Sequence, residues 1–152
     1  MKKTLLSILV SGLVLMACGQ NPTPPKEVQS AFSKKFNAFH EVKWEQEDNE
    51  WEAEFKLNGT EMSASFDNIG NWLETETEVR KKDVPAEIIK AVVLKFDGWE
   101  MEEIERIEKP DFKGYEIALE KEETETEILV SDSGDITIKK VKVEDEEDED
   151  DK

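Results

Sequence analysis

Two kinds of hydrophobic spacing alternate along this chain, and each occurs twice. Val28, Ala31, Phe32 and Phe36 follow helical spacing along one face, as do Ile88, Ala91, Val92 and Phe96. Pro25 and Pro85 open these segments. Proline fits a first helical turn, where its missing N–H costs nothing. Asn37 and Asp97-Gly98 are natural stops. After each helix the period becomes two. Val42 and Trp44 alternate with charged residues; Trp51, Ala53, Phe55 and Leu57 alternate with Glu52, Glu54 and Lys56; Met62, Ala64 and Phe66 alternate with Glu61, Ser63 and Ser65. One apolar face and one charged face predict antiparallel strands covered on a single side. Asp48-Asn49, Asn58-Gly59 and Asp67–Gly70 supply short connectors, Asn-Gly being a strong hairpin signal.

The pattern then returns with a period near 60 residues. Tyr115, Ile117 and Leu119 stand where Trp51, Ala53 and Phe55 stood, and Ile128 and Val130 match Ala64 and Phe66. Fourth strands over 72–79 and 136–143 complete two tandem α-β-β-β-β units, residues 25–79 and 80–143. One helix covers four strands poorly. The expected fold is therefore α+β, an eight-stranded antiparallel sheet with two helices packed on one face.

These residues carry a resemblance. Pro-x-x-(Val/Ile)-x-x-Ala-(Phe/Val)-x-x-Lys-Phe, an aromatic, Val42-x-Trp44, Trp51-Glu-Ala-Glu-Phe55 and Asp67-x-x-Gly70-x-Trp72 together resemble the PepSY-like, β-lactamase-inhibitor-like family. Its members are small exported bacterial proteins, commonly lipoproteins of Bacteroidetes-type species. The resemblance covers roughly residues 25–143, more fully in the first unit. The second departs from it at Glu103 and at Ile136, which replaces Trp72. What it implies is mainly the fold. Inhibition of a β-lactamase is a fold-level analogy. The secreted inhibitor's concave sheet face carries aromatic contacts. Here the face predicted to be exposed reads Glu52, Glu54, Lys56, Glu61, Glu116, Glu120, Glu125 and Glu127, whereas interface centres are usually depleted in acids.

The two ends differ from the body. Lys2-Lys3 precede an apolar run from Leu5 to Met16, which is too short to span a membrane as a mature helix and reads as an export signal. Leu15-Met16-Ala17-Cys18 resembles the lipobox of bacterial lipoproteins, in which the cysteine is acylated. Residues 1–17 are expected to be a lipoprotein signal peptide, Cys18 the lipidation site and 18–24 a flexible proline-rich tether. Such a protein is exported and held on the envelope by its lipid anchor, by default on the outer membrane facing the periplasm. With Cys18 so used, no disulfide forms.

Asp and Glu number 38 against 20 Lys and Arg, a formal charge of −18. Cleavage before Cys18 removes Lys2 and Lys3 and no acid, which moves the charge to −20. Such a charge excludes nucleic acid and anionic lipid surfaces as electrostatic partners. Glu144 to Asp151 is an unbroken acidic run, so 144–152 reads as a disordered, solvated tail. Carboxylates in series hold Ca2+ weakly, but no glycine is present there to form a loop around an ion.

Catalytic chemistry is missing from the sequence. There is one histidine, His40, read as a polar cap at the junction of helix and strand. No His-x-x-x-His, Gly-x-Ser-x-Gly or phosphate loop occurs, and no metal site or cofactor is expected. Ser131–Asp135 superficially suggests a calcium loop but matches the turn Asp67–Gly70, and Trp44, Trp51, Trp72 and Trp99 are read as packing residues. The expected function is non-enzymatic: a membrane-tethered periplasmic protein that engages an unknown protein or peptide of the envelope through its acidic sheet face. The alternative is an acidic cation-buffering or envelope-structural lipoprotein. An inhibitor of a β-lactamase or protease ranks below both. Numerous Glu and Lys residues on the strands are expected to discourage dimerisation through a sheet edge.

Overall fold

The computed structural model describes residues 22–37, 39–47 and 49–143. The signal segment, Cys18, the start of the tether and the tail from Glu144 lie outside the described residues, as do Asp48 and the side chains of Phe39 and His40. The chain divides between Thr77 and Glu78 into two units.

The first unit runs α1 (Lys26–Lys35), β1 (Phe39–Glu47), β2 (Glu50–Leu57), β3 (Thr60–Asp67) and β4 (Trp72–Glu78). In the second, a 3-10 turn at Lys81–Asp83 leads into α2 (Ala86–Lys95), β5 (Glu100–Glu108), β6 (Lys113–Lys121), β7 (Thr124–Ser131) and β8 (Ile136–Val143). Within each unit the strands pair in chain order, β1-β2-β3-β4 and β5-β6-β7-β8, and every pair is antiparallel. This is the α+β class that the alternating periods predict.

Both helices are shorter than their apolar spacing suggests. Pro25 and Pro85 sit at the N-cap, one residue outside the helix, and their carbonyls accept the first helical N–H groups, from Gln29 and from Ile89. At the other end Phe36 and Phe96 leave helical geometry before Asn37 and Asp97 are reached. For Phe36 the reason is packing. Its ring lies 5.3 Å from Phe32 and 4.7 Å from Phe55, a position it reaches by leaving the helix. The fourth strand ends at Glu78, one residue before the expected Val79.

In each unit the helix covers one face of its own strands. Val28, Phe32 and Phe36 of the first unit close over Trp51, Ala53, Phe55, Ala64 and Phe66. In the second, Val84, Ile88 and Val92 close over Ile104, Tyr115, Ile117, Leu119, Ile128 and Val130. The repeat conserves positions while exchanging volumes. Phe32 packs with the register pair Ala53–Ala64, whereas the smaller Val92 shares its core with the pair Ile117–Ile128. Close packing requires this compensation between facing layers. The tryptophans are packing residues as expected: Trp51 is buried, Trp44 lies 5.3 Å from Phe32, and Trp72 and Trp99 pack against their units' cores.

Candidate binding face

The strand face opposite each helix carries the polar alternates. In the first unit, register sets Glu52 beside Ser65, Glu54 beside Ser63, and Lys56 beside Glu61. On the outer side Lys43 pairs in register with Glu54 and Glu45 with Glu52. In the second unit Glu116 lies beside Leu129, Ala118 beside Glu127, and Glu120 beside Glu125. The eight residues expected to form one face therefore fall into two groups, Glu52, Glu54, Lys56 and Glu61 on β2–β3, and Glu116, Glu120, Glu125 and Glu127 on β6–β7.

Exposure departs from the expectation. Lys56 and Glu61 are exposed, but the other six are half-buried. Cross-strand neighbours are the cause, since long side chains on a pleated face cover one another's stems. The Lys139 ammonium donates to both carboxylate oxygens of Glu116 at 2.8 Å, and that carboxylate is only 14% exposed. Lys43 donates to Glu45 at 2.5 Å and to Glu54 at 3.1 Å. Lys56 pairs with Glu61 at 2.5 Å. Lys43, Glu45 and Lys139 are members of this face that sequence alone did not single out. Alternation places Lys43 and Glu45 on the charged side, but only the register shows which carboxylates they meet.

The electrostatics follow from this crowding. Burial pushes the Glu52 carboxyl above its ordinary range; the nearby Ser63 hydroxyl, which donates to Glu76 at 3.0 Å, opposes the shift, and the charges of Glu54, Glu45 and Glu47 add to it. Hydrogen bonds to Glu45 and Glu54 raise the Lys43 ammonium. Where β1 turns into β2, Glu47, Asn49, Glu50, Glu52 and Ser65 line a cleft of about 340 Å³. Every lining residue is polar, unlike the mostly apolar walls of small-molecule pockets.

Ser131–Asp135, which superficially suggested a calcium loop, and the matching turn of the first unit are both filled by their own hydrogen bonds. Asp67 Oδ1 accepts from the backbone N–H groups of Ile69 at 3.0 Å and Asn71 at 2.8 Å. In the second unit Asp135 N–H donates to Ser131 Oγ at 3.1 Å, and Ser133 Oγ donates to Asp135 Oδ2 at 2.6 Å. Asp132 instead receives a two-pronged contact from Arg106, with Nη2 to Oδ2 at 2.9 Å, while the guanidinium stacks 4.9 Å from the Tyr115 ring. Among the described residues no three His, Cys, Asp or Glu side chains are arranged to hold a metal ion, and no helix is long and apolar enough to cross a membrane.

Several solved structures share this fold. A BLIP-like protein of Bacteroides fragilis is 22% identical, with a TM-score of 0.72 and 83% of this chain and 92% of the other covered. A DUF2874 family protein of Bacteroides ovatus is 24% identical, with a TM-score of 0.71 over 80% of this chain and 89% of its own. A Bacteroides eggerthii structure described as "putative periplasmic proteins" is 20% identical, with a TM-score of 0.71 over 80% and 90% of the two chains. A search of curated proteins found no match. The family model "Putative beta-lactamase-inhibitor-like, PepSY-like" matches residues 49–138, more than half of the chain and strands of both units, and the chain belongs to that family.

Proposed function

We propose that this protein is a non-enzymatic, lipid-anchored binding protein of the periplasm that engages a protein or peptide with the strand face opposite its helices. The observation that carries the reading is the uncovered face itself. In each unit the helix packs on one side of its strands, leaving carboxylates on the other, half-buried by side chains of the same strand face. Crowded carboxylates favour a partner that brings positive charge. Cys18, after Leu15-Met16-Ala17, would supply the anchor, and the periplasmic description of the B. eggerthii relative fits the same compartment.

The test is affinity capture from an envelope extract. Glu52→Lys, Glu54→Lys, Glu120→Lys and Glu125→Lys are combined; Glu116 is left intact because Lys139 clamps it. A partner retained by the unaltered protein and lost by the variant is the expected result, with circular dichroism establishing that the variant is folded. Equal capture by both would remove this face from consideration.

A further inference from the structure

We propose that the protein self-associates edge to edge, β8 of one copy pairing antiparallel with β1 of another. This contact runs along the strand edges that border the face assigned above, sharing Glu45 with it, and does not require that face to bind a partner. Among the described strands β1 pairs with β2 alone and β8 with β7 alone, so each is an edge of its own unit. Each presents a row of N–H and C=O groups, which is a template for another strand.

The two edges carry opposite charge. β8 reads ITIKKVKV, with three lysines and no acid, in a chain where acids outnumber bases 38 to 20. β1 reads FHEVKWEQE, with Glu41, Glu45 and Glu47 against Lys43. Lys139 is committed to Glu116, which leaves Lys140 and Lys142 on the strand face that also bears Glu127 and Glu125. The helix side of β8 is unusually bare, with Ile138 50% and Val141 57% exposed.

Opposing Lys140 to Glu47 and Lys142 to Glu45 of the second copy matches charge with charge on one face. The same register sets Val141 across from Gln46 and diagonal to the half-buried Trp44, within the reach of cross-strand pairs. Pairing β8 with β8 would set lysine against lysine, and β1 with β1 would set glutamate against glutamate. Edge charges therefore select the unlike pair rather than forbid pairing altogether. A head-to-tail contact of this kind builds a ring where its rotation closes and an open chain of copies where it does not.

Sedimentation equilibrium on the protein exported by a bacterial host and extracted in mild detergent tests this. The average mass should rise with concentration and fall with added salt, as screening weakens exposed charge pairs. Lys140→Glu with Lys142→Glu makes both edges acidic, and Glu45→Lys with Glu47→Lys makes both basic. Each variant alone should associate at least about tenfold more weakly, two cross-strand pairs having turned repulsive. Mixing the two should restore association. Circular dichroism establishes that each is folded, and the single changes Lys142→Glu and Glu45→Lys replace any double variant that is not. An unaltered protein that stays monomeric at every concentration would overturn the proposal. So would association undiminished in the variants, or a mixture no heavier than its parts.

Discussion

Glu52 and Asp132 are both carboxylates on an acidic protein, and their surroundings push them in opposite directions. Burial raises Glu52, so the folded state holds its proton more tightly than the unfolded chain does. Its ionised form opposes folding, and stability is lost as pH rises from the ordinary carboxylate range through the folded value. Glu52→Gln should therefore raise the unfolding midpoint at neutral pH, with the advantage vanishing in acid. The hydrogen bond and charge of Arg106 hold Asp132 below its ordinary range. That stability is present above the unfolded value and is lost as pH falls through the folded one. Asp132→Asn should lower the midpoint at neutral pH, by an amount within the ~1 kcal/mol typical of exposed pairs, and leave it unchanged in acid. Thermal unfolding of both variants between about pH 3 and about pH 8 checks the opposite signs. The sequence shows both residues as polar alternates or turn acids. It cannot show the sign, which depends on burial for Glu52 and on Arg106, 26 residues away, for Asp132.

Elements repeat between the units, but they do not repeat their stakes. Gly70 and Gly134 occupy matching turns at φ +86° and +89°, a region that side chains rarely adopt. A Cβ at Gly134 would meet nothing within 4 Å, whereas one at Gly70 would lie 2.8 Å from the backbone carbonyl oxygen of Glu27 in the first turn of α1. Gly134→Ala should cost about 1–2 kcal/mol for the left-handed backbone alone. Gly70→Ala should cost about 1–3 kcal/mol more, because backbone must move to relieve the collision. Urea denaturation of the two variants side by side measures the difference. The helix–strand pattern and the turns were legible from spacing, since the 3.6 and 2.0 periods are local properties. The helix ends were not: Phe36 leaves α1 to join Phe32 and Phe55, and that preference exists only once the strands are in place. The exchange of Phe32 over two alanines for Val92 over two isoleucines likewise becomes meaningful only when register brings Ala53 to Ala64 and Ile117 to Ile128.

At the scale of the whole molecule, charge dominates. A formal −18 repels itself in the folded state more than in the expanded chain. Added monovalent salt should therefore raise the unfolding midpoint, since the cross-strand pairs it weakens are few beside the like charges it screens. Differential scanning calorimetry over rising sodium chloride checks this, and a falling midpoint would mean that the ion pairs of the strand face outweigh the repulsion. The sequence by itself determined the α+β class, the two α-β-β-β-β repeats, the family resemblance and the sign of the surface, because periodicity, turn chemistry and composition act along the chain. Tertiary structure decided which acids are half-buried, which are clamped by Lys43 or Lys139, and which strands are left as edges of opposite charge. Those depend on register, and register is fixed by the packing of one face rather than by any short stretch of residues.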